Sequence, residues 1–141
     1  MTGRLWSVLR RGVRRYRGLR GVGQRFEDAA ARHLEGAGYK ILERNYRTRA
    51  GEIDFVAEDG DILCFVEVKA RRGPGWGSAA EAVTGEKQRR IWNAAQFYLR
   101  KARVRPVCRF DVVAIDTLAD AARVEILRGA FQGPPRAPRP R

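Results

Sequence analysis

The 141-residue chain has few of the side chains that build thiolate or imidazole sites: two cysteines, Cys64 and Cys108, and one histidine, His33. A zinc finger needs four clustered Cys/His ligands, so that class is excluded. Two cysteines cannot staple a small disulfide scaffold, and cysteine this sparse suits a reducing compartment, so the expected location is cytoplasmic. No apolar run approaches the roughly 20 residues of a membrane-spanning helix. No continuous apolar segment follows the basic N-terminus, as a secretory signal would require. With so few soft ligands, carboxylates would have to hold any metal. That makes Mg2+ or Mn2+ the candidate ions, and no small-molecule cofactor is expected.

Acid is also scarce. Sixteen acidic residues face 29 basic ones, a net charge of +13, which predicts a polyanionic partner, either nucleic acid or an anionic membrane surface. The length fits one domain. A hydrophobic content of 44% excludes a basic chain that is disordered throughout. The charge is unevenly placed: residues 1–20 carry seven arginines and no acid, residues 129–141 three arginines and no acid, and residues 21–128 a net of only +3. The predicted division is a basic N-terminal arm over 1–20, a folded domain over 21–128, and a disordered Pro/Arg-rich tail over 129–141. In the arm Leu5, Leu9, Val13 and Tyr16 recur at helical spacing, while Gly3, Gly12 and Gly18 oppose a helix. A DNA-binding arm, a membrane-surface helix and an extension without function compete there, and the last ranks first. A transit peptide is a minor alternative.

Periodicity predicts a helix over 23–37, with Phe26, Ala29, Ala30, His33, Leu34 and Ala37 on one face. A strand over 39–46 leads into a basic turn, 47–51. Apolar runs over 52–57 and 62–70 flank Asp59-Gly60, a strong hairpin signal. A two-residue turn at that pair sets Ala57 opposite Ile62, Phe55 opposite Cys64 and Ile53 opposite Val66. One hairpin face is then Ile53, Phe55, Ala57, Ile62, Cys64, Val66 and Val68, all apolar. The other is Glu52, Asp54, Val56, Leu63, Phe65, Glu67 and Lys69, apolar near the turn and charged at the far end. A helix over 84–102, a strand over 107–115 and a candidate last strand over 123–127 complete an αβββαβ order with a mixed sheet.

In that register Asp54 faces Phe65 and lies diagonal to Glu67, roughly 7–8 Å away. Two carboxylates so placed can converge on one divalent cation, and Lys69, two residues past Glu67, reaches the same spot. Phosphodiester hydrolysis uses this grouping: a metal neutralises the phosphate and acidifies a bound water, while a lysine orients that water or stabilises developing charge. A lone Glu-x-Lys is more often a solvated edge or surface ion pair. The acid on the partner strand, the apolar flanks and the apolar opposite face favour the catalytic reading. Asp111, among apolar neighbours on a late strand, reads as structural, paired with a basic neighbour. Glu52 reads as a cap on the basic turn.

Asp54 with Glu67-Val68-Lys69 resembles the signature of the PD-(D/E)xK nuclease superfamily, with Ile53 in place of the leading proline. The strings Gly51-Glu52-Ile53-Asp54 and Phe65-Val66-Glu67-Val68-Lys69, with Gly38-Tyr39, Arg44-Asn45, Glu81-Ala82-Val83 and Arg109-Phe110-Asp111, are similar to the YraN family over about residues 21–116. The resemblance implies a restriction-endonuclease-like αβββαβ core, a mixed central sheet flanked by helices. It also implies a Mg2+- or Mn2+-dependent endonuclease acting on DNA, with branched or flapped DNA among its substrates and a homodimer by analogy with junction resolvases. Asp54 and Glu67 would be metal ligands, the Val68 carbonyl a further one, and Lys69 the catalytic lysine. Glu27 matches the helix-1 glutamate that completes the acidic site in related resolvases. Its other reading is an ordinary acid in the first turn of a helix. DNA contact would fall to Arg49 and its neighbour Arg47, to Arg71 and Arg72, and to Lys87 with Arg89 and Arg90. Trp76 could stack on a base or cap the core. The alternative is a nucleic-acid-binding module that keeps the fold without catalysis; an interaction protein docking through its arm is a third reading.

Overall fold

A computed structural model describes residues 22–71, 83–116 and 123–133. Its elements are α1 (Val22–Gly36), β1 (Lys40–Arg47), β2 (Glu52–Asp59), β3 (Ile62–Arg71), α2 (Gly85–Ala102), β4 (Cys108–Asp116) and β5 (Arg123–Phe131). The αβββαβ order expected from the sequence is present, the candidate last strand forms as β5 and runs on to Phe131, and the core is the restriction-endonuclease-like α/β arrangement. The five strands form one sheet in the order β1-β2-β3-β4-β5. β3 and β4 are parallel, and the other neighbours are antiparallel. A parallel pair needs a long crossover, and α2 lies in it. Among the described residues no helix is long and apolar enough to cross a membrane.

Strand alternation builds two cores. Phe55, Ala57, Cys64, Val66, Val113 and Ile115 pack with Ala30, Ala31 and Leu34 of α1. Val56, Leu63, Phe65, Phe110 and Val112 pack with Ile91, Ala94, Ala95 and Tyr98 of α2. The Leu63–Val66 run is buried on both faces, as a central strand requires. Two expectations shift here. The buried stripe of α1 is Ala30, Ala31 and Leu34, and His33 is exposed. Ile53, beyond the last paired rung of the β2–β3 ladder, joins the α2-side core rather than the α1-side one.

The hairpin register differs from the one read in the sequence. The rungs are Asp59↔Ile62, Ala57↔Cys64 and Phe55↔Val66, so the turn is Gly60-Asp61. Two effects select it. Gly60 takes the left-handed φ of +59° that the first turn position demands, and Asp59 is held in the ladder by an ion pair with Arg109 (2.7 Å). A slide of two residues leaves each side chain on its face, because the strand period is two. It does change the opposing residues: Val56 faces Phe65. The ladder ends at Phe55↔Val66, so Asp54 and Glu67 lie just past its last rung.

The C-terminal boundary also moves. β5 continues to Phe131, whose ring stacks on Phe110 at 5.0 Å. Gly133 lies so close to the Trp92 ring that a Cβ there would collide with it. Residues 129–133 therefore belong to the folded unit, past the boundary expected at 128. The arm, the 72–82 segment and residues 134–141 lie outside the described residues.

Candidate active site

At the end of the β2–β3 ladder the Asp54 carboxylate reaches across to β3 and accepts the Val68 N–H (2.8 Å). Glu67, from the same stretch of β3, has a side chain only 4% exposed, and its carboxylate meets the Lys87 ammonium. Lys87 stands in the first turn of α2, where Thr84 caps the helix by accepting the Lys87 N–H (3.3 Å). Gly51 lets that turn approach the hairpin: any Cβ on it would run into the Arg90 carbonyl of α2. The glycine of the Gly-Glu-Ile-Asp string thus permits the helix-to-strand approach that brings Lys87 to Glu67.

The electrostatics of this pair are unbalanced. Burial raises the Asp54 pKa most, the Glu67 charge raises it further, and the Val68 N–H and the Lys87 charge only partly oppose them; the result is about 7. For Lys87, burial works against the charged form, but the hydrogen bond and charge of Glu67, then the charges of Asp54 and Glu52, outweigh it and raise the pKa. One ammonium therefore serves two carboxylates. Hard, mutually repelling carboxylate oxygens in a largely buried site fit a hard divalent cation in the Mg2+ or Mn2+ class.

The other candidate residues fall as follows. Lys69 is half-buried two residues beyond Glu67 and makes no ion pair among the described residues. Val68 gives its N–H to Asp54. Glu27 accepts a hydrogen bond from the Asn45 side chain (3.0 Å), and Asn45 sits at a left-handed φ of 53°. Among the described residues no group of three or more His, Cys, Asp or Glu could hold a metal, so Glu27 is not gathered with Asp54 and Glu67. Arg49 is exposed in the β1–β2 turn. Glu52 pairs with Arg47 (3.5 Å), capping the basic turn. Lys87, expected on DNA, is on Glu67. Arg72, Trp76 and the Arg71 side chain lie outside the described residues. Sequence spacing missed the Lys87–Glu67 contact; the one local signal was Thr84, whose cap fixes where α2 begins.

On the other face of the sheet, one residue along, is a second buried acid. Val66 pairs with Asp111 and Glu67 with Val112 in the β3–β4 register. Asp111 is fully buried. It accepts hydrogen bonds from Tyr39 Oη (2.7 Å), Arg109 Nε (2.8 Å) and Nη2 (2.9 Å), and the Gly129 N–H (2.9 Å). Burial alone would raise its pKa, but the Arg109, Gly129 and Tyr39 hydrogen bonds outweigh it and hold the carboxyl below its ordinary range.

The model of the "Uncharacterised protein family UPF0102" matches residues 26–115. A UPF0102 protein of Symbiobacterium thermophilum is 48% identical over 114 residues, covering 79% of this chain and 97% of that protein. One from Herminiimonas arsenicoxydans is 50% identical over 95 residues, 67% of this chain and 77% of its own length. One from Rhodococcus opacus is 55% identical over 95 residues, 67% and 80% respectively. The matched segment contains Asp54, Glu67, Lys69 and Lys87, while the whole N-terminal arm and the whole tail fall outside it.

Proposed function

The chain belongs to the UPF0102 family, the YraN family of the sequence resemblance, and from that premise we propose that it is a divalent-metal-dependent endonuclease acting on DNA. One observation carries the reading: two carboxylates, Asp54 and Glu67, lie close together in a largely buried setting with the Lys87 ammonium on Glu67, and burial and the Glu67 charge push the Asp54 carboxyl up. A fold gains nothing in stability from such a pair, whereas a cation site needs one.

Asp54 and Glu67 would hold Mg2+ or Mn2+. Bound there, the ion supplies charge screening for the phosphate and a more acidic water. The protein's own groups do the rest. The Val68 N–H fixes the orientation of the Asp54 carboxylate. Lys69, following Glu67 by two residues on β3, is the proposed catalytic lysine: its ammonium orients the attacking water or stabilises charge developing on the phosphate. Arg49, Arg71 and Arg72 flank the site in sequence and are the proposed phosphate contacts. Glu27 acts at one remove by holding Asn45 and β1. Branched or flapped DNA and a homodimer remain the finer proposals.

One observation favours a second reading, a nucleic-acid-binding module without catalysis: the Lys87 ammonium already supplies Glu67 with a cation. Cleavage of linear, flapped, gapped and four-way DNAs with and without Mn2+ separates the two. The nuclease gives metal-dependent products that Asp54→Ala and Lys69→Ala lose while still binding DNA. A pure binder gives salt-dependent binding and no such product, and identical products from wild type and Asp54→Ala rule the catalytic reading out.

A further inference from the structure

On the α2 face of the sheet, beside the C-terminal half of α2, a cavity of about 590 Å³ opens between that helix and the start of β4. Its walls include Trp92, Leu99 and Phe110, and three arginines line it: Arg100, Arg103 and Arg105. Among the described residues no acidic one lines it. The volume lies within the roughly 300–1,000 Å³ of small-ligand pockets.

The arginines are not all explained by the helix. A cation in the last turn is favoured by the helix dipole, which accounts for Arg100. Arg105 lies past the end of α2, beyond the reach of that effect. Arg103 caps the helix with a left-handed φ of 55°. Glycine or asparagine takes that conformation with less strain, yet an arginine stands there. Guanidinium groups beside an apolar aromatic wall are the chemistry that binds a nucleotide, the phosphate paired with the cations and the base against apolar surface. Gly133 lies against the same Trp92. The sequence after it is Pro/Arg-rich, so it carries the same charge as the rim and is a poor occupant.

We infer that this cavity is a second nucleic-acid contact and that it takes an unpaired nucleotide. Bases in an intact duplex are stacked and cannot enter it. The inference rests on the proposed DNA substrate and narrows it to DNA with an unpaired strand. From Lys87 to Arg100 the axis of α2 spans roughly 20 Å. That is about six nucleotide steps of a B-form strand, fewer if the strand is extended. One substrate can therefore engage the acid pair and the cavity together.

The test is fluorescence anisotropy of the full chain in EDTA, with a labelled 20-nucleotide oligothymidine and a blunt 20-base-pair duplex as probes. The double variant Arg100→Ala/Arg105→Ala should weaken single-strand binding about tenfold and duplex binding far less. Arg103→Gly relieves the left-handed strain, so it should melt no lower than wild type and still bind the oligonucleotide less well. Arg32→Ala, at an exposed position of α1, is the control for the single charge lost in Arg103→Gly and should leave the preference for single strands intact. Equal losses on both probes, an equal loss from Arg32→Ala, or no loss at all would overturn the proposal. Because no metal is present, this outcome is independent of the cleavage experiment: either can fail while the other stands.

Discussion

Asp111 and Asp54 occupy opposite faces of one sheet. Asp111 receives four donor contacts, from Tyr39, Arg109 and Gly129, and the match keeps it ionised. Asp54 receives one backbone N–H and faces a second carboxylate, and it is pushed up to about 7. The first arrangement satisfies a buried charge completely and so belongs to the architecture of the fold. The second leaves a demand for positive charge that Lys87 meets only in part. The same residue type in the same sheet thus stands in one place where its charge is fully matched and in another where, on the proposed function, a cation would complete the match.

The largest effect is expected from Asp111→Ala, which leaves the Tyr39 hydroxyl and the Gly129 N–H without their acceptor and Arg109 with Asp59 as its one carboxylate among the described residues. The expected loss is about 3–5 kcal/mol in urea unfolding. Next comes Gly51→Ala, whose methyl group meets the Arg90 carbonyl. It should cost about 1–3 kcal/mol and pull α2 off the hairpin, with a loss of cleavage larger than the loss of stability explains. Asp54→Asn keeps an oxygen for the Val68 N–H and removes the repulsion with Glu67. Without metal at pH 8 it should be as stable as wild type or more so, the reverse of the Asp111 result.

The pH dependence sharpens the contrast, because the two acids have opposite signs. The lowered pKa of Asp111 means the unfolded chain binds more protons; its stabilisation is full above the unfolded value of about 3.9 and is lost progressively as pH falls from there through the lower folded value. The raised pKa of Asp54 means the folded chain binds more protons. Its contribution is full below about 3.9 and is lost as pH rises through about 7. Urea midpoints of the metal-free protein from pH 3 to 8 should fall at both ends. Asp54→Asn should flatten the branch between pH 4 and 7 and leave the acid branch. The smallest effect is expected from Lys87→Met: with the competing ammonium gone, Mn2+ should bind a few-fold more tightly in calorimetry.

Most of the architecture was legible from local pattern. The element order and the mixed sheet follow from periodicity, and most element ends fall within a residue or two of their expected places. Glu67 and Lys69 were legible because alternation on β3 fixes their face whatever the register; Asp54 was legible from its Gly-Glu-Ile-Asp string, since beside it Ile53 leaves the face that alternation predicts. The register itself was not. Asp59-Gly60 reads as a turn in isolation, but Asp59 is held by Arg109, fifty positions away in the chain. The Lys87–Glu67 and Gly51–Arg90 contacts escaped for the same reason: both join a helix to a hairpin across layers, which no local spacing encodes. Phe131 and Gly133 were hidden by composition, because the Pro/Arg-rich segment after them colours the whole C-terminus.

Calorimetric titration of Mn2+ at pH 7.5 into wild type and Asp54→Asn reads the proposed cation site of Asp54 and Glu67. Saturable binding is expected in wild type, with an affinity at least about tenfold lower in the variant. Equal binding in the two proteins, or no binding in wild type, would contradict it.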